Sequence, residues 1–343
     1  MRVMLNALAL RPDGAGVSTY IRGVLHGLGP SPGREVACLV QADAAASVPP
    51  WMGTHCVPPV AGTRRALRSA FAVPDADIVH GLDVDLPARG RGRTVTTIHD
   101  MGFFDVPWAC SPARGRIGRV ITRHALRTAD VVTAVSDFTA ERIQAIAGRE
   151  AVVTPLAVDP GLRPPLLGEV EVIRARYGLP RRFVLFVGTV EPRKDIARLA
   201  AACAAEQVPL VLAGGQIRQQ PDVPGEVRRL GFVPAVDLPG LYAAATVVAY
   251  PSLYEGFGLP PLEAVACGAV VISSRVASLA TVLDGAARLF RPGDLDELRQ
   301  ALREALHDED LRSELRAGAG AALARSSWDR TTATLDAVYR SLA

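Results

Sequence analysis

Segments typical of strands and segments typical of helices alternate along almost the whole chain of 343 residues. Short apolar runs fit strands that are buried on both faces, and longer amphipathic stretches between them fit helices. This alternation predicts parallel sheets with helices on both faces, because neighbouring parallel strands need a long, usually helical, crossover. We therefore expect an α/β fold.

The alternation forms two series. The predicted strands of the first series are 3–8, 35–40, 78–80, 94–98, 131–135 and 152–154. Those of the second are 183–187, 210–213, 246–250, 270–273 and 288–290. A proline-rich stretch, 155–165, separates them. We predict two Rossmann-like domains, 1–160 and 161–327, with ligands in a cleft at the carboxyl ends of the strands. The final stretch, 328–343, is predicted to be a helix that packs back on the first domain.

Composition narrows the class of protein. Hydrophobic residues make up 49% of the chain and the net charge is only +3, so nothing in the bulk charge favours a nucleic-acid partner. The five cysteines are scattered and form no C-x-x-C pair, which favours reduced thiols over disulfides or zinc. Residues 1–10 fit a first strand better than a signal peptide, and no apolar run reaches membrane-spanning length. We expect a cytoplasmic protein.

The segment 250–268 carries the most specific pattern. A strand is followed by a turn through Gly256 and Gly258 and then by a short helix near Pro261. A helix N-terminus after a glycine-rich turn offers free backbone N–H groups and a positive dipole end, which suit a phosphate. Glu255 and Glu263 flank this turn. The pattern predicts a diphosphate ligand with a sugar at one end and a ribose at the other.

Lysine usage points to a second phosphate-binding element. Lys194 is the single lysine among 38 basic residues, and it follows Arg193 in a turn after a predicted strand. A lysine acts on phosphate as a compact point charge, whereas arginine offers a wider planar fork. We interpret Lys194 as a phosphate ligand, and the survival of one lysine by chance is the alternative.

Two weaker motifs also follow predicted strands. Gly14 and Gly16 could let the backbone approach a ligand, although the loop is shorter than a dinucleotide-binding fingerprint and equally fits an ordinary tight turn. His99 could contact a sugar hydroxyl or support developing charge, or it could cap a turn.

Asp83 and Asp85 form a D-x-D pattern like that of metal-dependent sugar transferases. We interpret them as turn residues, because two strand–helix series indicate a fold in which protein cations replace the metal. No metal or other cofactor is therefore expected. No motif for a nucleophile, a zinc protease or a P-loop is present either.

Four arginines, Arg116, Arg119, Arg123 and Arg127, are spaced to share one face of a predicted helix. No acidic residue lies between Asp105 and Asp130. The face could contact anionic lipid, as in peripheral binding to the inner face of a membrane, or a phosphorylated acceptor. A solvated helix face is the alternative.

Taken together, the chain resembles the retaining, nucleotide-sugar-dependent glycosyltransferases of family 4, which have the two-domain GT-B fold. The resemblance rests on the Glu-x7-Glu segment, on Glu-Pro-Arg-Lys at 191–194, on Thr-Ile-His-Asp at 97–100 and on Ser-Trp-Asp-Arg at 327–330. Bacterial mannosyltransferases of the family carry similar stretches.

The resemblance implies a role for each matching residue. Arg193 and Lys194 would hold the donor diphosphate, Glu255 would lie at the transferred sugar, and Glu263 would bind the ribose. The remaining donor contacts would come from His99, Gly16, Gly256, Phe257, Gly258 and Leu259. Two departures are Thr189, where some relatives have a phosphate-binding arginine, and the stretch 278–282, which lacks the family's Pro-Glu.

The resulting hypothesis is transfer of a hexose with retention of configuration, with GDP-mannose as the favoured donor and a glycan, lipid-linked or small-molecule acceptor. Three alternatives stay open: a UDP-hexose donor, a GT-B-fold sugar-nucleotide epimerase, and a catalytically silent partner subunit. The Glu-x7-Glu segment argues against the epimerase. The presence of Glu255, Lys194 and His99 argues against the silent subunit.

Overall fold

The structure is a computed structural model, and it describes residues 1–14, 16–72, 74–87, 92–215 and 225–343. Within 63–72 only the backbone of five residues is described, namely Thr63, Ala66, Leu67, Ala70 and Ala72. The chain divides into two compact units. Unit 1 comprises Met1–Ala157 and Ser326–Ala343, and unit 2 comprises Val158–Arg325. The divisions predicted from the sequence are after residues 160 and 327.

Unit 1 is built around a parallel sheet. Its strands are β1 (Arg2–Asn6), β2 (Glu35–Gln41), β3 (Gly53–Val57), β4 (Ile78–Gly81), β5 (Arg93–Ile98), β6 (Val131–Ala134) and β7 (Val152–Val153). Its helices in the same stretch are α1 (Val17–Gly27), α2 (Thr63–Ala72), α3 (Gly102–Asp105), α4 (Pro112–Thr128) and α5 (Asp137–Ala147). The strand order is β3-β2-β1-β4-β5-β6-β7, and each neighbouring pair is parallel.

Unit 2 repeats this architecture. Its strands are β8 (Val184–Val187), β9 (Leu210–Ala213), β10 (Val227–Gly231), β11 (Val247–Tyr250), β12 (Val271–Ser274) and β13 (Ala287–Phe290). Its helices are α6 (Leu167–Tyr177), α7 (Ile196–Ala205), α8 (Leu238–Ala244), α9 (Leu259–Ala266), α10 (Ala277–Val282), α11 (Leu295–His307) and α12 (Glu309–Ala324). The strands are parallel in the order β10-β9-β8-β11-β12-β13.

Strand order reverses once in each sheet, between β1 and β4 in unit 1 and between β8 and β11 in unit 2. On either side of such a point the crossovers leave to opposite faces of the sheet, so a crevice opens beyond the carboxyl ends of the two strands. The predicted α/β class is confirmed, and the segments singled out in unit 2 follow β8 and β11.

The last helix, α13 (Trp328–Leu342), belongs to unit 1 and packs on α1. Ser327 caps its N-terminus by accepting a hydrogen bond from the Arg330 backbone N–H at 3.2 Å. The Thr331 hydroxyl donates to the Pro155 carbonyl at 2.6 Å. The C-terminal helix therefore packs on the first domain, as predicted, and belongs to unit 1.

Sequence reasoning missed the strands at one edge of each sheet. β3 and β10, with sequences GTHCV and VRRLG, contain no buried residue. An edge strand needs no continuous apolar run, so hydrophobic patterning does not detect it. Helix α4 begins at Pro112, four residues before the first of the four arginines, because Ser111 caps it and Pro112 fits its first turn.

Among the residues that the structure describes, no helix combines the length and apolar character needed to cross a bilayer.

Candidate functional site

A close approach of two loops shapes the carboxyl end of β8. Gly188 follows this strand with a φ of 146°, and Gly214 follows β9 with a φ of 130°. A Cβ atom on Gly214 would lie 2.4 Å from the Gly188 carbonyl oxygen, so a larger residue does not fit. After Gly188 the chain makes a single 3-10 turn, Pro192–Lys194. In this turn Lys194 is buried, with 9% of its surface exposed, and Arg193 is half-buried.

The loop after β11 meets this turn from the neighbouring strand. It ends at Gly258, whose φ of 105° suits glycine and whose missing Cβ makes room for the Leu279 side chain. Helix α9 begins at Leu259, slightly earlier than predicted, and has proline in its first turn. The Leu253 backbone N–H donates to the Arg193 carbonyl at 2.8 Å, which ties the two loops together.

Glu255, Arg193 and Lys194 form a cluster of charged side chains where the two loops meet. Glu255 lies at its centre and is 8% exposed. Its Oε2 accepts a hydrogen bond from Arg193 Nη1 at 3.0 Å, and its Oε1 accepts one from Lys194 Nζ. Arg193 also donates through Nε to Glu191 at 2.9 Å and through Nη1 to the Tyr254 carbonyl at 2.9 Å. The sequence-predicted cations and the first predicted carboxylate are thus brought together in one buried cluster.

Electrostatics keeps Glu255 ionised. Burial alone raises the pKa of this carboxyl group, but the charges of Lys194 and Arg193 outweigh burial and lower its pKa to about 2. Burial lowers the pKa of the Lys194 ammonium, and the charge of Arg193 adds to this effect while that of Glu255 opposes it. A second anion placed here would compete with Glu255 for the buried Lys194 ammonium and the half-buried Arg193 guanidinium.

Three buried serines that the sequence analysis did not single out hold this loop. The Ser252 hydroxyl donates to Glu255 Oε1 at 2.7 Å, and the Ser278 hydroxyl donates to the Glu255 carbonyl at 2.8 Å. The Ser274 hydroxyl donates to the Ser252 carbonyl. Ser252 is adjacent to the Glu-x7-Glu segment, but the other two come from β12 and α10, which only the fold brings here.

Glu263 occupies the second turn of α9 and is half-buried. Its Oε2 accepts a hydrogen bond from the Tyr242 hydroxyl at 3.2 Å. Gly256, Phe257 and Leu259 are buried around the start of α9. Thr189 is exposed after β8.

The candidate residues of unit 1 lie at the carboxyl ends of β1 and β5. His99 follows β5, and its Nε2 donates to the carbonyl of Leu82, just after β4, at 2.9 Å. Gly16 directly precedes α1 with a φ of 58°, and its neighbour Ala15 lies outside the described residues.

Asp83 and Asp85 both pair with Arg65. Arg65 Nη2 lies 2.8 Å from Asp83, and its Nε lies 2.7 Å from Asp85. The guanidinium takes the position between the carboxylates that a metal would need, which supports their interpretation as turn residues. Within the described ranges, no group of three or more His, Cys, Asp or Glu side chains is arranged to hold a metal ion.

The four arginines of α4 do not share one environment. Arg116, Arg123 and Arg127 are exposed, whereas Arg119 is half-buried and donates to the Phe103 carbonyl at 3.0 Å. Arg123 lies over the Phe104 ring at 5.2 Å. The exposed face also carries Ile117 and Val120.

Two family models match the chain: "Glycosyl transferases group 1" over residues 170–321 and "Glycosyltransferase Family 4" over residues 10–162. An O-antigen chain mannosyltransferase B of Escherichia coli is 35% identical over 293 residues, which are 79% of this chain and 76% of that protein. The serotype-specific mannosyltransferase WbdA of E. coli is 35% identical over 182 residues, 47% of this chain, and the match covers only 22% of WbdA.

Among solved structures, Anabaena Alr3699/HepE in complex with UDP and glucose superposes with a TM-score of 0.78. The match covers 99% of this chain and all of that one at 19% identity. At this identity the likeness establishes the fold alone.

Proposed function

Because the chain belongs to the glycosyltransferases of group 1 and family 4, we propose that it transfers a hexose from a nucleotide sugar with retention of anomeric configuration. The favoured donor is GDP-mannose, since similar proteins are named as mannosyltransferases. The acceptor class is a glycan, a lipid-linked saccharide or a small molecule.

The observation that carries the proposal is the meeting of Arg193 and Lys194 beside the N-terminus of α9. A buried ammonium, a half-buried guanidinium and a helix dipole provide the charge that a diphosphate leaving group needs as its bond to the sugar breaks. In this structure Glu255 accepts hydrogen bonds from both cations. A bound diphosphate would replace Glu255 in part of these bonds.

The proposed roles of the other candidate residues follow from the family resemblance. We propose that Glu255 lies at the transferred sugar, that Glu263 binds the ribose hydroxyls, and that His99 contacts the donor sugar. The backbone of Gly256, Phe257, Gly258 and Leu259 would meet the diphosphate, and Gly16 would be a further donor contact.

A donor panel tests the proposal. Calorimetric titration with GDP-mannose, GDP-glucose, UDP-glucose and UDP-galactose should give the tightest binding with GDP-mannose. NMR of the hydrolysis or transfer product should show the anomeric configuration of the donor. Preferential binding of a UDP-hexose would reject the GDP-mannose assignment, recovery of an epimerised nucleotide sugar would favour the epimerase, and the absence of any turnover would favour a silent subunit.

Donor binding is proposed to need no divalent cation, because the protein cations and α9 supply the positive charge. Affinity for GDP-mannose should be the same in excess EDTA and in excess magnesium or manganese. A requirement for metal in this titration would contradict the proposed role of Arg193 and Lys194.

The exposed face of α4 supports a second proposal, contact with an anionic lipid surface. Val120 is 62% exposed and Ile117 is 43% exposed, and they lie among Arg116, Arg123 and Arg127. Trp108, just before the helix, is 56% exposed. Apolar side chains between cations fit an interfacial helix, in which the apolar residues enter the headgroup region and the arginines bind lipid phosphates.

Vesicle sedimentation separates this proposal from a solvated helix face. The protein should sediment with phosphatidylglycerol vesicles at low salt and much less with phosphatidylcholine vesicles. Val120→Asp and Arg127→Glu should each weaken binding, whereas Arg340→Glu, a charge reversal on α13, should not. Equal sedimentation with both lipids, or equal loss in all three variants, would reject the proposal.

A further inference from the structure

A row of three aromatic rings connects the C-terminal helix with His99. The Tyr20 and His99 rings meet edge to face, with centroids 5.0 Å apart and planes at 85°. On α13, the Trp328 ring lies 6.2 Å from the Tyr20 ring at a tilt of 59°. All three residues belong to unit 1.

The middle ring of the row is held firmly. Tyr20 is fully buried, and its hydroxyl lies 3.1 Å from the Thr154 hydroxyl and 3.4 Å from the Thr97 hydroxyl. Thr97 lies two residues before His99 in β5, so the same strand end carries the imidazole and one of the hydroxyls that anchor its neighbour.

The outer ring is held just as closely. A Cβ atom on Gly23 would lie 2.3 Å from the Trp328 ring, so the indole lies directly on α1, where only glycine leaves room. Helix α1 carries Tyr20 one turn earlier, and the capped start of α13 carries Trp328. Packing of the two helices therefore sets the position of the Tyr20 ring.

These contacts leave the imidazole a defined orientation. Nε2 donates to the Leu82 carbonyl, which can only accept, so in the neutral ring the proton is on Nε2. The Nδ1 lone pair is then the acceptor that His99 can offer to a hydroxyl group. Rotation of the ring would break the bond to Leu82 and the edge-to-face contact with Tyr20.

We propose that Tyr20 and Trp328 are positioning residues for His99, so that α13 orients a site residue in addition to completing the fold of unit 1. The catalytic part of this inference rests on the proposed donor contact of His99, whereas the positioning part does not.

The test compares substitutions by NMR and by kinetics. The His99 ring resonances, assigned by their loss in His99→Gln, should shift in Trp328→Ala, shift less in Trp328→Phe, and stay in place in Tyr339→Phe. The control Tyr339→Phe alters the same helix and removes the hydrogen bond to His80, which reaches Tyr20 only through the Thr97 hydroxyl. Tyr20→Phe keeps the ring but loses the hydrogen bonds of the hydroxyl to Thr154 and Thr97, so it should give an intermediate shift. This variant replaces Trp328→Ala in the test if Trp328→Ala does not fold.

With a nucleotide sugar that the protein turns over, Trp328→Ala should lower kcat by about 10- to 100-fold, the usual cost of a misplaced catalytic group. The KM for donor should change far less, and Trp328→Phe should restore most of the rate. Unchanged His99 resonances in Trp328→Ala and Tyr20→Phe would overturn the positioning role. Shifted resonances with a normal kcat would confirm positioning and contradict the proposed donor contact of His99.

Discussion

At the scale of single residues, Lys194 offers the cleanest test because the chain contains no other lysine. An amine-selective reagent can modify only Lys194 and the amino terminus, and bound GDP should protect Lys194 alone. Lys194→Ala should weaken the binding free energy of the donor or of the transition state by about 1.5–3 kcal/mol, the contribution of a hydrogen bond to a charged group. This corresponds to roughly 10- to 150-fold in donor affinity or in kcat/KM.

Lys194→Arg is the matched substitution for this experiment. It should recover only part of the loss, because a broader guanidinium would compete for space with Arg193 beside the same carboxylate. Labelling of the amino terminus gives the internal reference. A Lys194→Ala protein with wild-type donor affinity would show that this lysine has no role in the site.

The two carboxylates of the segment 250–268 should respond differently to substitution. Glu255→Gln should lower kcat more than donor affinity, because a contact at the transferred sugar should strengthen as charge develops. Glu263→Ala should mainly weaken donor binding, because Glu263 is proposed to bind the ribose. Measurement of kcat and of the Kd for donor in both variants tests these roles. If Glu255→Gln mainly weakens donor binding and Glu263→Ala mainly lowers kcat, the roles of the two carboxylates are reversed.

A stability control belongs with Glu255→Gln. Removal of one partner from a buried ion pair costs about 3–5 kcal/mol, since the other charge is left uncompensated. Urea unfolding of both variants would show whether a lost rate reflects the site or a loss of folded protein. Tyr242→Phe, which keeps the ring and removes the hydrogen bond to Glu263, provides the milder comparison.

The residues of this cluster differ in how far the sequence could predict them. Arg193, Lys194 and Glu255 stand in specific motifs and were found, although their mutual hydrogen bonds were not foreseen. Ser274 and Ser278 carry no local signal, because their function depends on loops that meet only after the sheet has formed. The roles carried over by resemblance stay predictions.

At the scale of elements, the contact between α1 and α13 predicts the sign of the change in stability that a glycine-to-alanine substitution in α1 should cause. Replacing glycine by alanine inside a helix usually stabilises it by roughly 0.5–1 kcal/mol. At Gly23 the new methyl group would meet the Trp328 ring, so Gly23→Ala should instead destabilise unit 1, by about 1–3 kcal/mol for an overpacked site. Urea unfolding followed by tryptophan fluorescence measures the change.

Gly320→Ala is the matched control, since Gly320 lies inside α12 and nothing lies within 4 Å of its added Cβ. It should stabilise unit 2 slightly, which far-ultraviolet circular dichroism follows because that unit contains no tryptophan. If both substitutions are stabilising, Trp328 moves away from α1 at little cost, and the close packing described here does not constrain it.

The elements show which part of a fold local patterns can predict. Central strands such as β8 and β11 are apolar on both faces, and the sequence predicts them to within a few residues. The anchoring of Tyr20 by Thr154 joins residues separated by 134 positions, so no local pattern announces it. Trp328 was noticed only as part of a motif, and its contact with α1 needed the structure.

At the scale of the whole molecule, His80 links stability to pH. It is fully buried between the Tyr339 hydroxyl at 2.6 Å and the Thr97 hydroxyl at 2.9 Å. Burial, with a smaller effect from His99, lowers its pKa from 6.5 to about 3. The unfolded chain therefore binds a proton between these pH values that the folded chain does not, and stability falls as the pH falls from about 6.5 to about 3.

His80→Gln isolates this effect. The free energy of unfolding of the wild type relative to this variant should fall by about 1.4 kcal/mol per pH unit across that interval. Burial also raises the pKa of Asp85 to about 6, which opposes His80 in part of the range, but both proteins share that group. The three tryptophans, Trp51, Trp108 and Trp328, all lie in unit 1, so their fluorescence reports its unfolding directly. A pH-independent difference between the proteins would contradict the buried, neutral state of His80.

The division of the chain between the units has a consequence for protein synthesis. Unit 2 is one continuous stretch, whereas unit 1 needs residues 326–343, which the ribosome makes only after unit 2. Domains usually fold in the order of their synthesis, from the amino terminus onwards. Here unit 2 can reach its native state while β4 and α1 still wait for Tyr339 and Trp328. For that interval the nascent chain exposes the face of α1 that α13 covers in the folded protein.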